Sequence, residues 1–171
     1  MDLYERFKSN QFYKDIEPKI YEGESTIKCT YDIKDYDETQ IISNEYLYKI
    51  NYEIEQKIKI WNNNKRERIN YKKKFDKLGL NTIYFIIEKK LNDMSFMFSN
   101  CLSLKQVQFI FPKSEEVTDM ESMFTNCEEL EYIDLSNFNT INVNNMEYMF
   151  NRCKKLKEIK GINNFNTKKS Y

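Results

Sequence analysis

The first half of the chain alternates hydrophobic and polar residues. In "STIKCTYDI" the apolar side chains from Ile27 to Ile33 occupy every second position, as in a strand with one buried face. The run "NTIYFIIE" is almost continuously apolar, which is typical of a central strand. These patterns predict a β-rich capping domain over residues 21–90, a sandwich or meander of about five strands, preceded by a tail or short helix over residues 1–20.

A different pattern begins near residue 91 and recurs every 26 residues. The stretch "MSFMFSNCLSL" at 94–104 returns as "MESMFTNCEEL" at 120–130 and as "MEYMFNRCKKL" at 146–156. Within each copy two Met, a Phe and a Cys fall at i, i+3, i+4 and i+7, which predicts one buried face of a helix of about three turns. The segments "LKQVQF", "LEYIDL" and "LKEIKG" then predict one short strand per copy. The aligned apolar positions form the predicted repeat core: Met94, Met97, Phe98, Cys101, Leu104, Met120, Met123, Phe124, Cys127, Leu130, Met146, Met149, Phe150, Cys153 and Leu156.

This period defines three units, at about 91–116, 117–142 and 143–171, the last incomplete. One strand and one helix in 26 residues match the length of leucine-rich repeats, about 20–29 residues. A single unit cannot bury its own apolar face, so stacked units are expected to form a continuous core. No polar cap follows the third unit in "KGINNFNTKKSY". We therefore expect a truncated array, a gene fragment, or an end that a partner covers, and an uncapped repeat there is also open to end-to-end association.

The repeat resembles a known family. "VTDMESMFTNCEELEYIDLSNFNTINVNNMEYMFNRCKKLKEIKGINNFNT" is similar to the units of BspA-like leucine-rich-repeat surface proteins, which occur in bacteria, mycoplasma lipoproteins and protists. The likeness covers about residues 91–167, and its M-x-x-M-F-x-x-C-x-x-L core is specific. It implies an elongated solenoid for adhesion or protein interaction, with no catalytic residues to carry over. The predicted fold class is therefore α+β, with an N-terminal β-rich domain followed by a leucine-rich-repeat solenoid of parallel strands and short helices.

The amino-acid composition limits the classes of function and partner that the chain can have. The 171 residues include 27 Lys plus Arg, 27 Asp plus Glu and no His, so no polyelectrolyte partner is implied and the commonest general base is missing. The three glycines form no phosphate-binding loop. We expect no enzymatic activity, no cofactor, no nucleic-acid partner and no membrane insertion.

Two residue clusters raise the question of a specific binding site, one for a metal ion and one for nucleic acid. Met and Cys together can bind Cu(I), but their 26-residue spacing without C-x-x-C favours core packing over a metal site. The stretch "KRERINYKKKF" could form a nucleic-acid patch. Glu67 interrupts this stretch, and apolar residues alternate with its lysines and arginines. A solvated hairpin is therefore the favoured interpretation.

The outward residues of the predicted strands are the candidate partner-binding face. Across the three units they form the rows Lys105, Glu131 and Lys157; Gln106, Tyr132 and Glu158; and Gln108, Asp134 and Lys160. Opposite charges in neighbouring strands attract, which favours a self-satisfied surface, and Tyr132 is the best single anchor.

The predicted function is a non-enzymatic protein–protein interaction module, and the alternative is a surface adhesin, or a fragment of one, that binds host or matrix components. The opening residues carry no secretory signal and no run reaches ~18 apolar residues. These features favour the cytoplasm, or the cell surface if the chain is a fragment of a longer family member.

Overall fold

The computed structural model describes Pro18 and residues 24–46, 57–62, 65–110 and 114–165. Within these residues lie nine strands, and a 3-10 helix, Ile162–Asn164, follows the last of them. The strands are β1 (Ser25–Ile33), β2 (Thr39–Gln40), β3 (Ile58–Asn62), β4 (Lys65–Arg68), β5 (Lys72–Lys73), β6 (Gly79–Ile87), β7 (Leu104–Ile110), β8 (Tyr132–Asp134) and β9 (Glu158–Lys160). The predicted tail over residues 1–20, apart from Pro18, and most of "YLYKINYEI" fall outside the described residues.

Seven strands form one mixed sheet in the order β4-β3-β6-β1-β7-β8-β9. The nearly apolar β6 and the alternating β1 lie at its centre, paired antiparallel from Ser25 opposite Ile87 to Ile33 opposite Gly79. The other edge of β1 pairs antiparallel with β7, whereas β7, β8 and β9 are parallel. The short strands β2 and β5 form a separate antiparallel pair.

The predicted fold class, an α+β protein ending in a leucine-rich-repeat solenoid with short helices, is wrong. The repeats do contribute parallel strands, but these extend the same sheet that contains β1 and β6. In the described residues the stretches predicted as helices consist of consecutive turns. The predicted domain boundary near residue 90 stays a prediction, and the sheet runs across it because β1 pairs with β7.

Backbone hydrogen bonding explains why turns replace the helices. In unit 1 the N–H of Met97 donates to the Met94 carbonyl at 3.2 Å, but the N–H of Phe96 donates to the Glu121 carbonyl of unit 2 at 2.8 Å. A helix would use nearly every N–H within its own unit, so it could not form this ladder between units. The turns require a left-handed backbone, with φ of 51–62°, at Phe96, Asn100, Ser122, Asn126, Tyr148 and Arg152. Each non-glycine residue there costs about 1 kcal/mol, which the hydrogen bonds and core contacts between units offset.

A column of aromatic rings runs through the stacked units. Phe98 lies 5.6 Å from Phe124, and Phe124 lies 5.8 Å from Phe150, with the rings nearly parallel in both pairs. Phe85 of β6 meets Phe98 edge to face at 5.3 Å, which continues the column into the sheet. The rings of units 1 and 2 are fully buried, whereas Phe150 is only partly buried.

Thiols form a second column beside the rings. The Sγ of Cys127 donates to the Phe98 carbonyl at 3.1 Å, and the Sγ of Cys153 donates to the Phe124 carbonyl at the same distance. Cys29, Cys101 and Cys127 are buried, Cys153 is partly exposed, and all four are free thiols. These side chains therefore help to fill the core between units as small apolar groups.

Candidate interaction surface

The nine residues predicted as the partner-binding face lie on or beside adjacent strands. Strand register aligns Gln106, Tyr132 and Glu158 in one row and Gln108, Asp134 and Lys160 in another. Lys105 precedes the first row on β7, and Glu131 and Lys157 occupy the matching positions just before β8 and β9. Whether this face binds a partner stays a prediction.

Tyr132 does not have the exposure that an anchor on a free surface needs. Only 2% of its surface is accessible, and Asp134 in the same strand is also buried. The Asp134 carboxylate accepts from the Ser136 backbone N–H at 2.9 Å and lies 3.4 Å from the Lys160 ammonium. The middle of the strand face is therefore closed by its own contacts.

A ladder of alternating charges crosses four strands. The Lys105 ammonium lies 3.7 Å from Asp32 on β1 and 3.0 Å from Glu131, and Glu131 also lies 3.1 Å from Lys157. Burial raises the pKa of Glu131, but hydrogen bonds from Lys105 and Lys157 outweigh it, so the pKa ends below its ordinary value. Each interior member of the ladder thus has a partner on both sides.

Ion pairs repeat with the 26-residue period in the described part of the chain. Besides the ladder, Lys154 pairs with Glu128 at 2.7 Å and Lys155 pairs with Glu129 at 2.6 Å. Lys90 contacts Glu116 in the same way. Exposed pairs of this kind add little stability, about 0–1 kcal/mol each. Their consequence is a charge pattern: in the ion pairs between units 2 and 3, unit 2 supplies the carboxylates and unit 3 supplies the lysines.

In the described residues, the core positions of unit 3 are less buried than those of units 1 and 2. Of its core residues, Met146, Phe150, Cys153, Leu156 and Ile159 are only partly buried, although their counterparts in units 1 and 2 are buried. Ile141, just before unit 3 in the sequence, and Tyr148 and Ile162 within it are exposed large apolar side chains. Exposed apolar side chains that cluster on a surface are typical of an interaction site.

The sequence did not predict which residues of unit 3 are exposed. Tyr148 takes the place that Phe96 and Ser122 hold in the earlier units, between the two repeat methionines. All three have a left-handed backbone, which the helical interpretation did not include.

Other candidate chemistry finds little support in the described residues. None of their His, Cys, Asp or Glu side chains form a group of three that could hold a metal ion. Burial raises the pKa of Cys153 to about 11, so this thiol is almost wholly protonated at neutral pH. A cavity of about 20 Å³ between Thr26, Met94 and Phe109 has room for about one water molecule.

The basic stretch predicted as a solvated hairpin forms ion pairs within the protein. Both terminal nitrogens of Arg66 lie 2.9 Å from the Glu24 carboxylate, and one also lies 2.9 Å from Glu88. Burial raises the pKa of Glu67, but Lys65 and Lys73 outweigh it and lower the pKa. Within the described ranges, no helix is both long enough and apolar enough to cross a membrane.

Comparison with known proteins gives one family. The family model described as "Mycoplasma protein of unknown function, DUF285" matches residues 19–107 and, separately, residues 72–171. The matches reach well upstream of residue 91, where the recognised repeat begins, and they overlap over residues 72–107. A search of curated proteins found no match. A search of solved structures also found none.

Proposed function

The chain belongs to the DUF285 family of Mycoplasma proteins of unknown function, and because that membership assigns no activity, we propose from its surface that it is a non-enzymatic protein-interaction module. Its partner binds at the uncovered side of unit 3, which we call the unit 3 end and define by Tyr148, Phe150, Leu156, Ile159 and Ile162. The resemblance to BspA-like surface proteins, carried by the M-x-x-M-F-x-x-C pattern, is consistent with this role and belongs to the same proposal.

One observation carries the proposal: the same repeat positions are buried in unit 2 and partly exposed in unit 3. Phe124 and Leu130 are fully buried, whereas Phe150 and Leu156 are only partly buried. Tyr148 is 65% exposed. Burying such apolar surface against a partner contributes about 25 cal/mol per Å², so this end can contribute to binding.

Site-specific photo-crosslinking tests the proposal. A photoreactive phenylalanine analogue replaces either Tyr148 at the unit 3 end or Tyr36, which is 56% exposed and lies far from unit 3 in the sequence. In cells that express the protein, we expect position 148 to give a discrete protein adduct and position 36 to give none. The purified adduct partner should bind the native chain and bind Tyr148→Glu several-fold more weakly. Equal crosslinking at both positions, or none at 148, would refute the proposed role.

The adhesin alternative stays a prediction. In the described residues no feature identifies a host or matrix ligand, and the charged strand face is paired within the protein. If the partner captured at position 148 is a host or matrix component, the adhesin interpretation replaces an intracellular one. The expectation of no enzymatic activity likewise stays a prediction.

A further inference from the structure

Within the turns, the backbone hydrogen bonds between units run from the earlier unit to the later one. Before the turns and before the strands they run the other way, as from the Asn144 N–H to the Thr118 carbonyl and from the Lys157 N–H to the Glu131 carbonyl. Unit 1 donates from the N–H groups of Met94, Phe96, Phe98 and Asn100 to carbonyls of unit 2 at 2.8–2.9 Å. Unit 2 donates in the same way from Met120, Ser122, Phe124 and Asn126 to carbonyls of unit 3. The equivalent N–H groups of unit 3, at Met146, Tyr148, Phe150 and Arg152, have no acceptor among the described residues. The turns of the unit 3 end therefore present a row of backbone donors.

The opposite end of the stack is already closed. Carbonyls of unit 1 accept from the Gln40 side chain at 2.9 Å, from the Ser43 backbone N–H at 2.9 Å and from the Tyr46 hydroxyl at 3.3 Å. Ser43 and Tyr46 are buried. A second copy therefore cannot offer its unit 1 carbonyls to the donors of unit 3. If two copies met turn to turn through their unit 3 ends, N–H donors would lie against N–H donors.

The charge ladder stops at the same end. Lys105 has two acidic partners and its side chain is 17% exposed, whereas Lys157 has one partner and its side chain is 56% exposed. Lys154 and Lys155 likewise each pair with a carboxylate of unit 2, and their side chains stay more than half exposed. The alternation along the ladder calls for carboxylates on the next chain segment. Unit 2 has that pattern in "CEELEYID", at 127–134.

The aromatic column indicates a third feature that a segment bound at the unit 3 end should have. In the described residues, Phe124 has a parallel ring on both sides, at 5.6 and 5.8 Å, whereas Phe150 has one on the side of unit 2. Its other face lies at the unit 3 end. Aromatic pairs contribute about 0.5–1.5 kcal/mol beyond the area they bury, so an aromatic side chain in register would be favoured there.

We propose that the unit 3 end binds an acidic segment of a different polypeptide, docked parallel to unit 3 as a further coil. The segment offers backbone carbonyls to the N–H row, an aromatic ring to Phe150 and carboxylates to Lys154, Lys155 and Lys157. The inference rests on the proposed protein-interaction role and specifies the chemistry of the partner.

A peptide of this chain's own unit 2, residues 117–142, is the probe, because it has the carboxylates and the phenylalanine in the required spacing. Labelled peptide is titrated with the full 171-residue chain and followed by fluorescence anisotropy. We expect saturable binding that weakens as salt rises, and no binding by a peptide with Glu128, Glu129 and Glu131 changed to Lys. No binding up to about 1 mM, a Kd equivalent to only ~4 kcal/mol, would overturn the inference.

A charge exchange tests the register. Lys157→Glu in the chain should weaken peptide binding about fivefold to tenfold, and Glu131→Lys in the peptide should restore it to within about twofold. The matched control is Lys65→Glu on the opposite edge strand, where the lysine side chain is 70% exposed; it should leave binding unchanged. Circular dichroism checks that each variant is folded. Equal effects of Lys157→Glu and Lys65→Glu, or failure of the exchange, would contradict the proposed docking.

Two further outcomes separate this inference from the proposed function. If the peptide fails to bind but position 148 still captures a partner, the acidic-coil chemistry is wrong and the interaction role stands. If sedimentation shows that the chain dimerises and Tyr148→Glu abolishes the dimer, the occupant is a second copy and the inference is wrong.

Discussion

Replacing Gly161 by alanine should destabilise unit 3 more than any other glycine substitution in the described residues, with Gly79→Ala as the matched control. Both glycines have φ of +83°, which an L-residue with a Cβ adopts at a cost. They differ in their surroundings. A Cβ on Gly161 would lie 2.6 Å from the backbone N of Ser136 and 2.7 Å from the carbonyl carbon of Leu135, whereas a Cβ on Gly79 would have no atom within 4 Å.

The magnitude follows from these two terms. The left-handed backbone costs an alanine roughly 1 kcal/mol, and this term is common to both variants. The contacts at Gly161 involve backbone atoms, which cannot rotate away as a flexible side chain can. Forcing an atom into such a packed site typically costs a further 1–3 kcal/mol, roughly. We therefore expect Gly161→Ala to lower the free energy of unfolding by about 1–3 kcal/mol more than Gly79→Ala.

Urea denaturation measures the difference, and amide exchange locates it. The Leu135 N–H donates to the Lys160 carbonyl at 2.9 Å beside Gly161, so its exchange should accelerate in Gly161→Ala and stay unchanged in Gly79→Ala. Equal destabilisation by the two variants would show that unit 3 does not pack against the turn after β8 as described. That outcome would refute the steric argument and leave only the backbone term.

Three further predictions test the core and the charge ladder. Phe124→Leu should cost about 1–3 kcal/mol in aromatic contacts and Phe150→Leu about half as much, because Phe150 has one ring neighbour instead of two; urea unfolding that gives equal losses would contradict the column. Glu131→Gln should lower stability by about 1 kcal/mol at pH 7. Since the folded pKa of Glu131 lies below its ordinary value, this difference should shrink as pH falls through that folded pKa, and a constant difference from pH 7 to pH 3 would refute it. In the native protein only Cys153 should react with a thiol reagent at pH 8, about 10²-fold more slowly than free cysteine, since its pKa is about 11; labelling of Cys101 at the same rate would show that the stack opens.

The 26-residue period predicted which residues align, and spacing explains why it did not predict the turns. Met94, Met97, Cys101 and Leu104 lie three or four residues apart, the spacing of one helix face. The same spacing places apolar residues at the corners of consecutive turns. In these turns the Met97 N–H donates to the Met94 carbonyl, and the Leu104 N–H donates to the Cys101 carbonyl. Hydrophobic periodicity within one unit cannot separate the two structures. The hydrogen bonds between units favour turns over a helix, and a single copy of the repeat does not contain these bonds.

The role of the N-terminal residues could not be derived from the repeat either. β1 pairs with β7 antiparallel, with Cys29 opposite Val107, and antiparallel pairing produces no sequence period. Burial is the main cause that raises the pKa of the Cys101 thiol, and the neighbouring Cys29 thiol raises it further. Cys29 therefore belongs with the thiols of the repeats. Gln40 and Ser43, which close the first unit, have no counterpart in the other units. Contacts that occur once leave no recurrent signal.

The position of unit 3 in the stack connects stability with the proposed function. In the part of the chain that the structure describes, unit 2 has ring, hydrogen-bond and ion-pair neighbours on both sides, whereas unit 3 has them on the side of unit 2. Its local free energy of opening should therefore be the lowest of the three units, because stability in stacked repeats depends on contacts between neighbours. Binding surfaces are commonly drawn from such low-stability segments. A partner coil at the unit 3 end would give unit 3 the contacts that unit 2 already has, so binding should raise the protection of the Phe150 amide toward that of Phe124.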